Sequence, residues 1–205
     1  MKTGTADKYS RISGLYDIFE WPMEKLLLRK LRREAVSLAS GRTLEVGVGS
    51  GKNLEHYPSD LELHAMDFSP GMLRKAYSKA HELGLQELEL REMDVEDLDY
   101  SDNRFDTVVS TFVFCTVPDP VAGLREVRRV LAPGGRAVFL EHMKSSNPVL
   151  NIFLHVASVF TSALLGTSMV RETLHNIERA GFGIVSVENR FFDIVRLIVA
   201  KKDPD

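Results

Sequence analysis

Thr43-Leu-Glu-Val-Gly-Val-Gly-Ser-Gly51 is a short apolar run, Leu44 and Val46, that breaks into three alternating glycines. The run reads as a buried strand of a parallel sheet. The glycines read as the turn after it, where the backbone bends sharply and a ligand can come close without meeting a side chain. A glycine-rich turn alone also describes an ordinary tight loop, so the reading depends on the chain beyond Gly51.

Downstream of the glycines the chain repeats with the rhythm of an α/β sheet. Leu61–Asp67 alternates toward a second strand ending in an acid. Ser69-Pro70 then supplies an N-cap and a proline for the first helical turn, and the helix runs to about Leu83, where Gly84 stops it. Leu88–Met93 is a third strand leading to Asp94, and Phe105–Ser110 a fourth. Asp119-Pro120 opens another capped helix through Leu131. Pro133-Gly134-Gly135 turns the chain into a fifth strand, Arg136–Leu140. Strands alternating with helices imply a parallel sheet with right-handed crossovers. The last helix, 171–180, is closed by Gly181 and leads to two strands, Ile184–Glu188 and Ile194–Ala200. Their short link allows only an antiparallel hairpin, expected at the sheet edge.

Upstream of the glycines, residues 7–40 read as two helices. Tyr9, Ile12, Tyr16 and Phe19 form an apolar face on the first, and Pro22 ends it. The second runs from Met23 with Leu27, Leu28, Leu31, Ala35 and Leu38 on one side and Lys25, Arg29, Lys30, Arg32 and Arg33 on the others. Residues 1–40 hold eight Lys/Arg against five Asp/Glu, in a chain whose net charge is −3. Such a basic amphipathic helix suits an anionic membrane surface or packing on the sheet with a solvated basic face. From Ser145 to Val170 there is no charged residue. Within that stretch Asn151, His155, Ser158 and Ser162 make a polar stripe between apolar flanks. A membrane span would need roughly 20 apolar residues and would strand the last strands across the bilayer. An inserted helix whose stripe faces a pocket is the reading adopted.

The length of 205 residues fits one domain, divided as an N-terminal helical lid (1–40), a cofactor core (41–142), an apolar insertion (145–170) and a final helix with its hairpin (171–205). The balance of charge, with a pI near 6.1, argues against a nucleic-acid binder. One cysteine, Cys115, excludes an internal disulfide or a cysteine metal cluster, and no metal is expected. The N-terminus does not resemble a signal peptide, so the expected location is cytoplasmic, with peripheral attachment to the inner membrane face as an extension.

The acids turn the glycine signal into a specific one. Asp67, at the tip of the second strand, can accept protons from two ribose hydroxyls. Asp94, at the tip of the third, is placed for an exocyclic adenine amine. Glu45 stands two residues before Gly47. An anion there suits a cofactor with a cationic amino-acid end better than one with a pyrophosphate. Adenosine joined to an α-amino acid is S-adenosylmethionine.

Leu44–Asn53, Met66–Leu73, Met93–Leu98, Phe105–Val109 and Leu124–Gly135 together resemble the class I S-adenosylmethionine-dependent methyltransferases of the type 11 group. The resemblance implies a doubly wound, Rossmann-like α/β fold with a seven-stranded, mostly parallel sheet and its last strand inserted antiparallel. It also implies roles: Glu45 and Gly47 at the amino-acid end, Gly49 and Gly51 for close approach, Asp67 on the ribose, Phe68 and Met72 along the adenine, Asp94 and Val95 at its edge, and Thr111 closing the pocket. S-adenosylhomocysteine would be the product. Bacterial phospholipid N-methyltransferases are similar in the glycine loop and Met-Asp-Phe-Ser. Membrane-associated thiol S-methyltransferases are similar in Phe114-Cys-Thr-Val117, Phe139-Leu-Glu-His142 and Arg171-Glu-Thr. Quinone-precursor C-methyltransferases share mainly the cofactor half.

A sulfonium methyl is already electrophilic, so the protein must align a nucleophile and help it lose a proton. Glu141 and His142 end the fifth strand, at the sheet edge where ligands bind, and are the first candidates for the base. His155 on the polar stripe is another, and Tyr16 and Tyr9 are candidates to close over the cofactor. Cys115, among Phe112, Val113, Phe114 and Val117, reads as a buried thiol rather than a nucleophile. The expected acceptor is a small molecule or lipid, first a phospholipid amine and then a thiol. A non-catalytic cofactor-binding scaffold is the reading from another class of function.

Overall fold

The computed structural model describes residues 28–145, 173–190 and 193–203. The elements in chain order are α1 (Arg29–Val36), β1 (Arg42–Val46), β2 (Glu62–Asp67), α2 (Pro70–Glu82), β3 (Glu89–Glu92), β4 (Phe105–Thr111), α3 (Pro120–Val130), β5 (Leu131–His142), α4 (Thr173–Arg179), β6 (Gly183–Arg190) and β7 (Val195–Lys201). Tyr9, Tyr16, the insertion 148–165 with His155, and Arg171 lie outside the described residues.

The seven strands form one sheet in the order β3-β2-β1-β4-β5-β7-β6. Pairing is parallel from β3 through β5 and antiparallel on both sides of β7. The expected antiparallel hairpin is present, but only β6 stands at the edge; β7 is wedged between β5 and β6. Two-sided burial explains its composition: Val195, Leu197, Ile198 and Ala200 are all buried, as an interior strand requires.

The helices divide between the two faces. Leu44, Val46, Phe105, Val108 and Phe139 pack with Leu124 and Val127 of α3 and Ile177 of α4. On the other face Val109, Val138 and Leu140 meet Leu28, Leu31, Ala35 and Val36, while Ala65 and Leu90 meet Leu73, Ala76 and Ala80 of α2. The helix starts use the expected chemistry. Ser69 Oγ accepts from Met72 N at 3.4 Å, and Asp119 Oδ1 accepts from Val121 N and Ala122 N at 3.1 and 3.0 Å. Both helices have proline in the first turn.

Several boundaries differ from the sequence reading. The helical part of 23–40 that is described ends at Val36, four residues early. Strand β3 stops at Glu92, so Asp94 belongs to a turn, where it bridges Asp97. Strand β5 begins at Leu131 and runs through Pro133-Gly134-Gly135, because a register slip between Phe105 and Thr107 absorbs the turn residues within the ladder.

The topology fixes where a ligand can sit. β1 is hydrogen-bonded to β2 on one side and β4 on the other, so the connections leaving β1 and β4 diverge. The crevice at that switch point, at the strands' carboxyl ends, is where open α/β sheets bind ligands.

Candidate active site

Two loops face each other across this crevice, the glycine loop after β1 and Phe112–Thr116 after β4. Gly47 has φ +69°, and a Cβ there would stand 2.4 Å from Val113 Cγ2, so the loops touch only because residue 47 has no side chain. Gly49, φ +56°, has nothing within 4 Å of where a Cβ would be; it borders open space. Gly51 serves packing, with its Cβ position 3.4 Å from the Ala76 backbone of α2.

Asp67 organises the opening. Its Oδ2 accepts from Gly49 N at 2.9 Å and its Oδ1 from Ser69 N at 2.9 Å. Burial pushes its carboxyl up to about 6, against the pull of those backbone bonds. The Phe68 backbone N–H also favours the anion, and the residue lines the cleft together with Gly47, Gly49, Phe68, Met72 and Thr111.

Glu45 lies behind this surface. It is fully buried in β1, and its Oε1 accepts from Asn53 Nδ2 at 2.7 Å. Oε2 has no hydrogen-bond partner among the described residues. Burial raises its carboxyl to about 7, opposed by Asn53, Arg32 and Tyr57. Asn53 Nδ2 also donates to Thr111 Oγ1 at 3.0 Å, and Arg32 Nη1 donates to the same hydroxyl at 2.6 Å. The Arg32 guanidinium lies 4.9 Å from the Phe112 ring centre. One buried polar network therefore joins α1, β1, the glycine loop and β4.

Arg32 and Asn53 were not anticipated. Arg32 reads in sequence as part of a solvated basic face, whereas it is buried and lines the cleft. The signal was its spacing: it falls four residues after Leu28 and three before Ala35, on the helix's apolar side. Phe112, Val113 and Thr116 also line the cleft. Phe112 has φ +60°, uncommon for a bulky residue and consistent with a turn held in place by its surroundings.

Other expected residues lie elsewhere. Asp94 is half-buried and accepts from Glu96 N at 3.1 Å. Val95 packs in the core against Gly123 and does not line the cleft. Glu141, expected to be a base, is fully buried, and its Oε1 accepts from Val113 N and Phe114 N at 3.0 and 3.1 Å. It faces a loop backbone rather than the cleft. His142, one residue on, points to the opposite face of the sheet, its ring 4.5 Å from that of Phe112. Cys115 is buried, and its Sγ donates to Phe112 O at 3.5 Å. Tyr16 and His155 lie outside the described residues.

The opening suits the adenosyl amino acid. Gly49 leaves open space beside the loop, and the Asp67 carboxylate lines the cleft next to it. A pyrophosphate would meet the Asp67 carboxyl there.

Comparison with known proteins agrees. Residues 44–139 match the methyltransferase domain family. A phosphatidylethanolamine N-methyltransferase of Cereibacter sphaeroides is 39% identical over 139 residues, 66% of this chain and 68% of that one. A mouse thiol S-methyltransferase is 32% identical over 150 residues, 71% of this chain and 61% of that one, so the chain spans a little under two thirds of this relative. Among solved structures, an S-adenosylmethionine-dependent methyltransferase from Thermotoga maritima shares the fold, with a TM-score of 0.74 at 18% identity, covering 96% of this chain and 99% of that one. With the first relative matched over two thirds of its length, the chain belongs to the class I S-adenosylmethionine-dependent methyltransferases of the type 11 group, and S-adenosylmethionine is its methyl donor.

Proposed function

We propose that this enzyme methylates the amine of a phospholipid headgroup of the phosphatidylethanolamine type. The observation that carries the reading is the likeness to the Cereibacter sphaeroides enzyme, at 39% identity over 139 residues. A structural feature supports it. Arg29, Lys30 and Arg33 are exposed on α1, while Arg32 of the same helix lines the cleft. A helix with one face toward the site and another basic and open would bring an anionic lipid surface to the cleft mouth. Among the described residues no helix is long and apolar enough to cross a membrane.

In this reading Glu45, with Gly47 and the Arg32–Asn53–Thr111 network, serves the amino-acid end of the cofactor. Gly49 and Gly51 shape the loop, Asp67 takes the ribose hydroxyls, and Phe68 and Met72 line the adenine. Asp94 and Val95, on the turn after β3, serve the adenine edge. The bound cofactor supplies an electrophilic sulfonium methyl, and the protein's part is alignment and exclusion of water. An ammonium acceptor must first lose a proton, and we assign that task to His142, whose ring packs against the cleft-lining Phe112.

The thiol S-methyltransferase relative supports a second reading, methylation of a small thiol. Incubation with S-adenosylmethionine and either phosphatidylethanolamine vesicles or a panel of alkyl thiols separates the two. Mono- and dimethylated lipid by mass spectrometry is the expected result. Methylated thiol with unmodified lipid would replace the first reading by the second.

A further inference from the structure

We infer that Glu141 is the positioning residue of the cofactor cleft's far wall: as a buried anion it takes the Val113 and Phe114 amides, holds the Phe112–Thr116 loop against the glycine loop, and so sets cofactor affinity without touching the cofactor. The inference rests on the cofactor assignment and is independent of the acceptor.

The geometry is direct. Glu141 is the penultimate residue of β5, and its side chain shares the sheet face of Phe139, whose ring packs edge-on against Phe114 at 5.7 Å. Its Oε1 receives two successive backbone N–H groups, at 3.0 and 3.1 Å. Two adjacent amides converging on one oxygen form a small anion-binding concavity, stronger for a carboxylate than for a neutral acceptor. The loop so held carries Val113, whose Cγ2 fits against Gly47 with no room for a Cβ, and Phe112 and Thr116, which line the cleft. Phe112 keeps its φ of +60° between this anchor and its own N–H bond to Leu140 O, at 2.7 Å. A left-handed phenylalanine is not maintained by local preference, so the fixings on either side hold it.

Among the described residues, the groups facing Glu141 are few. Ser110 comes from β4 and Cys115 from the loop. Arg196 stands opposite on β7, but its Nη2 donates to Lys144 O at 3.1 Å and lies 3.9 Å from Asp193 Oδ2. Without a cation as partner among these groups, burial pushes the Glu141 carboxyl up to about 7, against the backbone bonds that favour the anion. Such a charge lowers stability and persists where it serves function.

The test compares Glu141→Gln with the unaltered protein, using S-adenosylhomocysteine affinity by calorimetry at pH 6 and pH 8. Glutamine keeps size and one acceptor oxygen but removes the charge. Glu45 and Asp67 titrate in both proteins and cancel in the ratio. The ratio of dissociation constants is expected to rise from under about twofold at pH 6 to about tenfold at pH 8, the order for hydrogen bonds to a charged group. The variant should melt no lower than the parent at pH 8, since it no longer buries a charge. A ratio that is the same at both pH values, or a loss of melting temperature together with affinity, would reduce Glu141 to a structural residue. Amide exchange in the unaltered protein supplies an independent check if the variant fails to fold. Val113 and Phe114 should be protected well above exposed loop amides, and exchange at loop rates would overturn the inference.

Discussion

Two sets of buried carboxylates occupy the carboxyl edge of this sheet, and they differ in what they face. Asp67, at the tip of β2, opens onto the cleft, with Glu45 of β1 just behind it. Glu141, near the end of β5, looks at the backbone of a loop. All three are held above their ordinary values by burial. Asp67 lines the cleft, whereas Glu141 turns Oε1 to the amides of Val113 and Phe114; Glu45 and Glu141 each leave Oε2 without a hydrogen bond among the described residues. A strand end therefore identifies where a carboxylate can act, and the neighbouring amides decide on what.

The strongest way to break this contrast is at Asp67. Asp67→Ala should weaken S-adenosylhomocysteine binding at least about 100-fold, roughly 3 kcal/mol, with an unchanged circular dichroism spectrum. Unaltered affinity by calorimetry would remove Asp67 from the ligand-facing set. The glycine loop offers the next largest effect. Gly47→Ala must place a methyl group into Val113 at positive φ, and denaturant titration should show a loss of about 2–3 kcal/mol.

The pH dependence sharpens the comparison further. A carboxyl whose folded value is raised contributes stability that is complete below its unfolded value and is lost as pH rises through the folded one. With Asp67 at about 6 and Glu45 and Glu141 at about 7, the free protein should lose at least about 2 kcal/mol between pH 5 and pH 8. Urea titrations across that range check it, and a flat or rising profile would contradict the burial of these charges. The smallest effect is at Gly49, where a methyl group meets open space. Gly49→Ala should cost about 1 kcal/mol of stability from φ alone, and proportionally more in cofactor affinity. Equal losses of both would mean that Gly49 does not border the ligand.

Most of the fold was legible because its signals are local. Ser69-Pro70 and Asp119-Pro120 start helices by their own hydrogen-bonding chemistry, and the interior strands β5 and β7 carry the apolar runs Ala137–Leu140 and Leu197–Ala200. Asp67 and the glycines were legible as a unit because the loop and the strand tip are neighbours in every such sheet. Arg32 was not, since its partners Asn53 and Thr111 lie 21 and 79 residues away. The direction of Glu141 escaped for the same reason: alternation along β5 gives its sheet face, but only the loop after β4 supplies the amides that claim it. Asp94 was misplaced by two residues, because a short strand such as β3 ends where pairing ends rather than where its pattern does.

The wedged position of β7 has a consequence for synthesis. β6 leaves the ribosome before β7, yet among the described residues β7 is its sole neighbour in the sheet. Until Val195–Lys201 emerges, β6 has no ladder to join, and the flank of β5 stays open to stray pairing. Once β7 arrives, Lys202 can fasten the junction through Asn103 Oδ1 and Leu131 O. A nascent chain halted at Arg190 would therefore carry two unmatched strand borders, open to pairing with another chain.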